Sequence, residues 1–550
     1  MQHISHNCIE KARNSLIHAG SYIRRNRNLR VSRGEISTEG TFFVGTDIGT
    51  FGTKCCVVDG DGVILSASYQ ETDVSIPRPG WAEQWPDVWW NAYCNTMKTA
   101  LKLARVDEKD IAGVCISGLY SGSGVPVDNR FEPLRPCIIW MDRRATKETT
   151  QVEQRLGENT IFEITGNVID PYYGYAKMLW IRQNEPEIWK KTHQLITANG
   201  WCIRKLTGRL SIDHSSACLI GGLYDIHKRE WSEKLMDELD IHRALFPERI
   251  NLSKDVIGEV TDEASRATGL AKHTPVCAGG IDAAVSALSA TALNDGDLTS
   301  MIGTSMCNGF IQDQPRLSKK LINFPHVAYD RTKLYSFAGI ATAGAALRWF
   351  RDQFCYCERN VGDAIGTSAY RLLDRMAEKV PPGSEGLVFM PHMVVGERAP
   401  YWDDHIRGCL FGLTLYHTKA HQYRSFLEGV AYAVRYSIEV AREVGIPLNR
   451  AILVDGGAKS ELWRQIFADV TNTPLQYVEA APGAPLGDAL LAGVGTGYLK
   501  YETIFDWVKT SSVTQPKSAN AETYEKYYVL YRKLYHDTNA CFRSLKEIAG

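Results

Sequence analysis

The sequence predicts an α/β protein of two domains. Strand and helix patterns alternate along most of the chain, the usual mark of that class. A hairpin with a glycine-threonine turn opens the folded part, and a second one opens the other half. The length, 550 residues, holds two or more domains at roughly 100–200 residues each.

The elements follow in order. Residues 1–40 carry Lys11, Arg13, Arg24, Arg25, Arg27, Arg30 and Arg33 against Glu10, Glu35 and Glu39. They read as a flexible, solvated extension, or else as an Arg-rich targeting segment. They lack the apolar stretch of a signal peptide. The first domain is expected over 41–294. Its opening, TFFVGTDIGTFGTKCCVVDGDGVIL, reads as strand, glycine turn, strand, turn, strand. The apolar runs are Phe42–Val44 and Cys55–Val58, and Asp59-Gly60-Asp61-Gly62 suits a hairpin turn. Residues 86–106 have helical spacing, and Ile111–Ser117 is a strand. The NDGD of Asn294–Asp297 breaks the pattern and marks the boundary. A second domain is expected over 295–505, opening with LTSMIGTSMCNGFI, again strand, small polar turn, strand. This hints at an internal duplication. The tail, 506–550, reads as a helix whose Tyr524, Tyr527, Tyr528 and Tyr531 pack on the second domain.

Composition excludes several classes. Net charge is −1, with 44% hydrophobic and 23% charged residues. Nothing in that balance points to nucleic acid or a membrane surface. No apolar run reaches the 18 or so residues a spanning helix needs. The 14 cysteines are irregularly spaced and mostly lie singly in apolar runs. They suit buried thiols in a reducing cytoplasm better than a metal or disulfide framework.

Four clusters offer chemistry. In Asp47-Ile48-Gly49-Thr50-Phe51-Gly52-Thr53-Lys54, small residues bring backbone N–H groups near a phosphate. Thr50 and Thr53 add hydroxyls, Lys54 adds charge, and Asp47 suits a magnesium-bound water. The same residues would also make an ordinary tight hairpin. Gly303-Thr304-Ser305 is a similar turn, suited to β- and γ-phosphates. In Ala278-Gly279-Gly280-Ile281-Asp282, a strand leads into a helix with Asp282 at its start. Asp282 serves there either as an N-cap or as a base that takes a proton from a substrate hydroxyl. In Asp455-Gly456-Gly457-Ala458-Lys459-Ser460, a strand runs through two glycines into a helix. Such a junction lies flat against a purine or phosphate, or simply packs closely.

Taken in order, these residues resemble the FGGY carbohydrate kinases of the actin-like ATPase superfamily. The resemblance spans Phe42 to Tyr498. It rests also on Pro79-Gly80-Trp81-Ala82-Glu83-Gln84, on Gly396-Glu397-Arg398-Ala399-Pro400-Tyr401-Trp402-Asp403 and on Leu427-Glu428-Gly429-Val430-Ala431. It implies two actin-like (ribonuclease H-like) domains, with ATP and sugar bound in a cleft between them. It implies ATP and Mg²⁺ as cofactors and a small sugar or polyol as substrate. Asp282 matches the catalytic base and Asp47 the carboxylate near Mg²⁺. Thr50, Thr53 and Lys54 match one phosphate loop, and Gly303 and Thr304 the other. Gly344, Gly456, Gly457 and Ala458 match positions that line the nucleotide. Trp140 and Tyr172 match sugar contacts, beside Asp282 itself. Many members are dimers, so a homodimer is an open expectation.

One segment departs from the family. Xylulose kinases carry Gln-Met-His-Gly, and glycerol kinases Gln-Arg-Glu-Thr, where this chain reads Leu119-Tyr120-Ser121-Gly122-Ser123-Gly124. The loop is one residue longer, so Tyr120 and Ser121 become the candidate sugar contacts there. PGWAEQ favours the pentulose branch, while this loop argues against xylulose itself. Glycerol, erythritol, gluconate and other ketoses stay open as substrates. An actin-like ATPase cycle and a sugar sensor without turnover are the competing classes.

Overall fold

The structure, a computed structural model, describes residues 40–394, 396–479 and 483–549. The extension expected over 1–40 lies, Gly40 apart, outside the described residues. The rest forms two compact units. The first takes the chain as far as Ser289, the short segment Val327–Arg331 and a returning segment that ends at Trp507. The second takes Ala290–His326, the chain from Thr332 to the return, and the chain from Val508 on.

The sheet of the first unit is built from β1 (Phe42–Gly49), β2 (Gly52–Asp59), β3 (Ile64–Glu71), β4 (Ile111–Gly118), β5 (Val256–Glu259) and β6 (Pro275–Cys277). Their order is β5-β6-β4-β1-β2-β3. β1 is buried on both faces, as a central strand with a parallel neighbour requires. The pleat divides its side chains. Phe42, Val44 and Ile48 join Trp89, Tyr93 and Met97 of helix Pro86–Ala104 in one core. Gly45 turns the other way, against helix Ala484–Gly495.

The second unit repeats this plan with β7 (Asp297–Ile302), β8 (Met306–Gln312), β9 (Ile322–Pro325), β10 (Leu334–Ile340), β11 (Arg450–Val454), β12 (Leu475–Tyr477) and β13 (Ser512–Thr514). Their order is β9-β10-β8-β7-β11-β12-β13. From β3 to β5 the first sheet pairs antiparallel, antiparallel, parallel, parallel, antiparallel. From β10 to β13 the second does the same, and β9 is an added edge. The duplication hinted at by two hairpins therefore extends through six strands. The last helix, Ser518–Ala549, buries Tyr524, Tyr528 and Tyr531 in the core of the second unit, with Tyr527 half-buried at its margin.

The division of the chain differs from the one expected at 294 and 505. The first break falls at Ser289/Ala290. More importantly, helix Ala484–Gly495, expected in the second domain, completes the first. Its residues Ala484, Pro485, Leu486, Gly487 and Ala489 are small or apolar. They fit the far face of a sheet whose β1 offers glycine there. From Val508 on the chain rejoins the second unit, where β13 forms one edge of its sheet.

Among the described residues every cysteine is a free thiol, and most are buried. No helix there is long and apolar enough to cross a membrane.

Candidate active site

β1, β4 and β6 run parallel, so their carboxyl ends meet at one edge of the first sheet. Leu119 N–H donates to Ile48 O at 2.8 Å, and Gly118 N–H donates to Gly280 O at 3.0 Å. These bonds set the turns after Gly49, Gly118 and Gly280 side by side. Ligands of open α/β sheets bind off such an edge.

The first turn carries Asp47, Thr50 and Lys54. Cross-strand pairing puts Asp47 opposite Lys54, on one face, with 3.7 Å between carboxylate and amine. Asp47 is 6% exposed, and its Oδ1 is buried without a hydrogen-bond partner. Burial pushes its carboxyl above the usual range, and Lys54 pulls it back. Thr53 pairs with Ile48 on the opposite face and is fully buried. The pleat thus removes Thr53 from the expected phosphate-binding set.

Thr50 is held from two sides. Trp140 Nε1 donates to Thr50 Oγ1 at 2.9 Å, and Gln84 Nε2 donates to Thr50 O at 2.9 Å. An indole nitrogen can only donate, so the Thr50 hydroxyl proton is left to point elsewhere. The PGWAEQ segment is the buttress of this turn. Trp89 Nε1 fixes Gln84 through Oε1, Ala82 N–H donates to Asp142, and the Arg144 guanidinium lies 3.7 Å over the Trp81 ring.

Behind Thr50 the aromatics form a row. Trp140 packs edge-on to Tyr172 at 6.4 Å, and Tyr120 lies 5.2 Å from Tyr172. Trp140 is half-buried, while Tyr120 and Tyr172 are each 5% exposed, so Trp140 is the most exposed ring of the row. Two cations stand near the row, and both are committed. Arg143 pairs through both nitrogens with Asp170. Lys177, fully buried, donates to Pro171 O and Tyr172 O, and burial pushes its amine down to about 7. Ser121 does not join the site as expected. Its hydroxyl accepts Ala198 N–H at 2.8 Å and points back at Leu119 O. It is spent on holding its own loop to helix Ala198–Thr207.

Asp282 begins helix Asp282–Ser289, is partly exposed, and accepts Ala283 N–H at 2.7 Å. The preceding residue is anchored by Ser215, whose hydroxyl accepts Ile281 N–H at 3.0 Å and donates to buried Asp213. One layer deeper, Gly279 N–H donates to Ser253 O, while Ser253 donates its own N–H and hydroxyl to Asp330. Burial pushes the Asp330 carboxyl up to about 7. Its unfolded value is about 3.9. The native state therefore holds a proton that the unfolded state has lost between those limits. The stabilisation is complete below the unfolded value and is lost as pH rises through about 7. Asp330→Asn, which mimics the protonated group, should remove this dependence. Urea midpoints taken from about pH 5 to about pH 8 should show the parent losing stability relative to the variant, by up to about 1.4 kcal/mol per pH unit. Parallel curves would mean that Asp330 is ionised throughout.

The second unit brings its expected residues together at the carboxyl ends of β7 and β11, which pair in parallel up to Met301 and Val454. The turn Gly303-Thr304-Ser305 follows β7, and Gly303 and Thr304 are exposed. Gly344 N–H donates to Gly303 O and Ala345 N–H to Thr304 O, both at 3.0 Å, which staples the turn to helix Gly344–Phe354. A Cβ on Gly344 would stand 2.5 Å from Gly303 O, so that approach needs glycine. After β11, Gly456 is exposed, and Gly457 lies against Ile302. Ala458, expected to line the nucleotide, is 1% exposed and belongs to the core. Its carbonyl accepts Arg464 Nη1 at 2.6 Å.

Sequence reasoning missed Asp488. It is fully buried in helix Ala484–Gly495 and accepts Ser117 Oγ at 2.6 Å. Burial holds its carboxyl well above the ordinary range, and Asp47 raises it further. Its signal was a lone acid within APLGDALLAGVG.

Comparison with known proteins gives the family of the chain. Sequence models of the FGGY family of carbohydrate kinases match twice, the N-terminal domain over residues 42–289 and the C-terminal domain over 298–496. A xylulose kinase of Staphylococcus epidermidis is 30% identical over 511 residues, 92% of this chain and 99% of its own. A gluconokinase of Bacillus subtilis is 28% identical over 491 residues, 88% of this chain and 93% of its own. The crystal structure of a xylulose kinase from Rhodospirillum rubrum aligns with a TM-score of 0.81 at 28% identity, covering 91% of this chain and 100% of that one.

Proposed function

The chain belongs to the FGGY family of carbohydrate kinases, and from that premise we propose that its acceptor is a small neutral ketose, a pentulose such as xylulose first, or else a polyol. As a family member it is an ATP-dependent sugar kinase acting on a small-molecule substrate. Asp282 is the base that takes the hydroxyl proton. One observation carries this reading: the turns that hold Asp47, Thr50 with Trp140, and Asp282 stand side by side off one sheet edge.

Each residue has a task in this reading. Trp140 offers an apolar face to the C–H side of a sugar, and Asp282 reads and activates a hydroxyl. Thr50 and Lys54 meet phosphate oxygens from the first unit. In the second unit, taken by itself, the Gly303-Thr304 turn suits phosphate in the same way, with Gly344, Gly456 and Gly457 suited to line a nucleotide. Phosphoryl transfer needs little covalent help, so positioning and charge neutralisation are the main tasks. Asp47 would hold Mg²⁺ through a coordinated water, and its partnerless buried Oδ1 suits such a ligand. Among the described residues no cluster of three or more metal-ligating side chains occurs. That suits an ion held mostly by water and phosphate, which would neutralise the charge that develops on the phosphates.

The committed cations favour a neutral acceptor over gluconate. A carboxylate substrate wants an unpaired cation beside the Trp140 row, and Arg143 and Lys177 are both engaged. Reducing surroundings, as in the cytoplasm, fit the free thiols.

The test is ADP release at fixed ATP·Mg²⁺ across xylulose, ribulose, other ketoses, glycerol, erythritol and gluconate. Release with one neutral ketose or polyol supports the reading. Release with gluconate alone would overturn the neutral acceptor. ATP hydrolysis independent of any sugar would point to an actin-like ATPase cycle.

A further inference from the structure

Arg348 lies on helix Gly344–Phe354, four residues past the glycine that meets the Gly303 carbonyl. Its side chain is exposed, and its Nη2 donates to Thr304 Oγ1 at 3.4 Å. It forms no ion pair among the described residues. The next arginine on the helix contrasts with it, because Arg351 is paired with Asp352 at 2.7 Å. Arg348 is thus a guanidinium without a counter-ion, set against the exposed Gly303-Thr304 turn.

The helix start cannot supply the charge this turn would need. An N-terminus attracts anions through unbonded N–H groups. Here the N–H groups of Ala343, Gly344 and Ala345 are spent on the carbonyls of Gly303 and Thr304. Stapling the turn to the helix uses up the donors that would otherwise face a phosphate. A side-chain cation is then the remaining source of positive charge at that spot. Thr304 is also arranged for the purpose. Its oxygen accepts from Arg348, so its hydroxyl proton is free to donate, as Thr50's is beneath Trp140 in the other unit.

We propose that Arg348 binds the terminal phosphate oxygens of the nucleotide and, with the Thr304 hydroxyl, forms the charged half of the second phosphate turn. This rests on the reading above that the Gly303-Thr304 turn receives nucleotide phosphates. Guanidinium binds phosphate through parallel N–H bonds, a geometry that lysine does not reproduce. The contact discriminates by phosphate and not by base or sugar acceptor.

The experiment compares Arg348→Ala, Arg348→Lys and Thr304→Ala with the parent. Affinities for ADP and for adenosine are measured by calorimetry, and KM for ATP and for the accepted sugar by turnover. Arg348→Ala should weaken ADP binding and raise the KM for ATP at least about tenfold. Adenosine affinity and the KM for sugar should stay within about twofold, and Arg348→Lys should recover part of the loss. Equal losses for ADP and adenosine would show a disturbed helix and overturn the proposal. If Thr304→Ala weakens ADP while Arg348→Ala does not, Arg348 is excluded and the nucleotide reading stands. If neither variant changes ADP binding, the reading of the turn itself fails.

Discussion

Replacing Asp282 with Asn is expected to lower kcat roughly a thousandfold while leaving the fold in place. The choice of asparagine matters, because Asp282 has two tasks. Its carboxylate accepts Ala283 N–H at the start of helix Asp282–Ser289. Asparagine serves a helix start about as well as aspartate, so this local bond survives. The backbone before it is anchored independently, through Ile281 N–H on Ser215 and Gly279 N–H on Ser253 O. What asparagine lacks is a site for the proton of the attacking hydroxyl. The measurement is steady-state ADP release with the accepted sugar, alongside sugar affinity by calorimetry. Sugar binding should persist within about tenfold, since a hydrogen-bonding side chain remains. Turnover within about threefold of the parent would remove Asp282 from the role of base. Alanine would be a poorer test, since it would remove the cap and the base together.

Much of this site was legible because its elements are local. The opening hairpin announces itself through two apolar runs around glycine and through DGDG. The helix expected after the double glycine is there as Glu461–Thr471, because Ser460 caps its start by accepting Trp463 N–H and Asn472 turns left-handed at its end. Resemblance supplied Trp140 and matched Asp282 to the base, and the geometry gives PGWAEQ a place beside them, since Gln84 holds the carbonyl of Thr50. The misreadings are of another kind. Thr53 sits in the right loop but on the wrong face, which depends on the pairing of Ile48 with Thr53 across the hairpin. Ser121 looked available because the group that occupies it, Ala198 N–H, lies 77 residues further along. Ala458 shares its turn with two glycines but faces the core. In each case local composition was read correctly, and a long-range partner decided the outcome.

The largest such partner is the returning helix, and Gly45 tests it. Gly45 lies in the middle of β1, where a side chain would ordinarily help a strand. A Cβ there would stand 1.8 Å from Pro485 O and 2.6 Å from Ala489 N, both backbone atoms of helix Ala484–Gly495. No rotamer change relieves a clash with backbone, so the helix or the strand must move. Gly45→Ala should therefore cost about 3 kcal/mol, the upper end of ordinary overpacking. The displacement should also reach Asp488, whose Cβ lies 2.8 Å from the same point and whose carboxyl takes the Ser117 hydroxyl. Gly60→Ala is the matched control, because a Cβ there meets nothing within 4 Å. It should change stability by about 1 kcal/mol or less. Urea denaturation followed by circular dichroism reads both. If the two variants unfold alike, helix Ala484–Gly495 does not lie on β1, and the first unit must be closed by some other element. If Gly45→Ala alone is destabilised, the sheet edge that presents Asp47 and Asp282 depends on chain more than 400 residues beyond β1. A truncation placed at the expected end of the first domain, 294, would then unfold it.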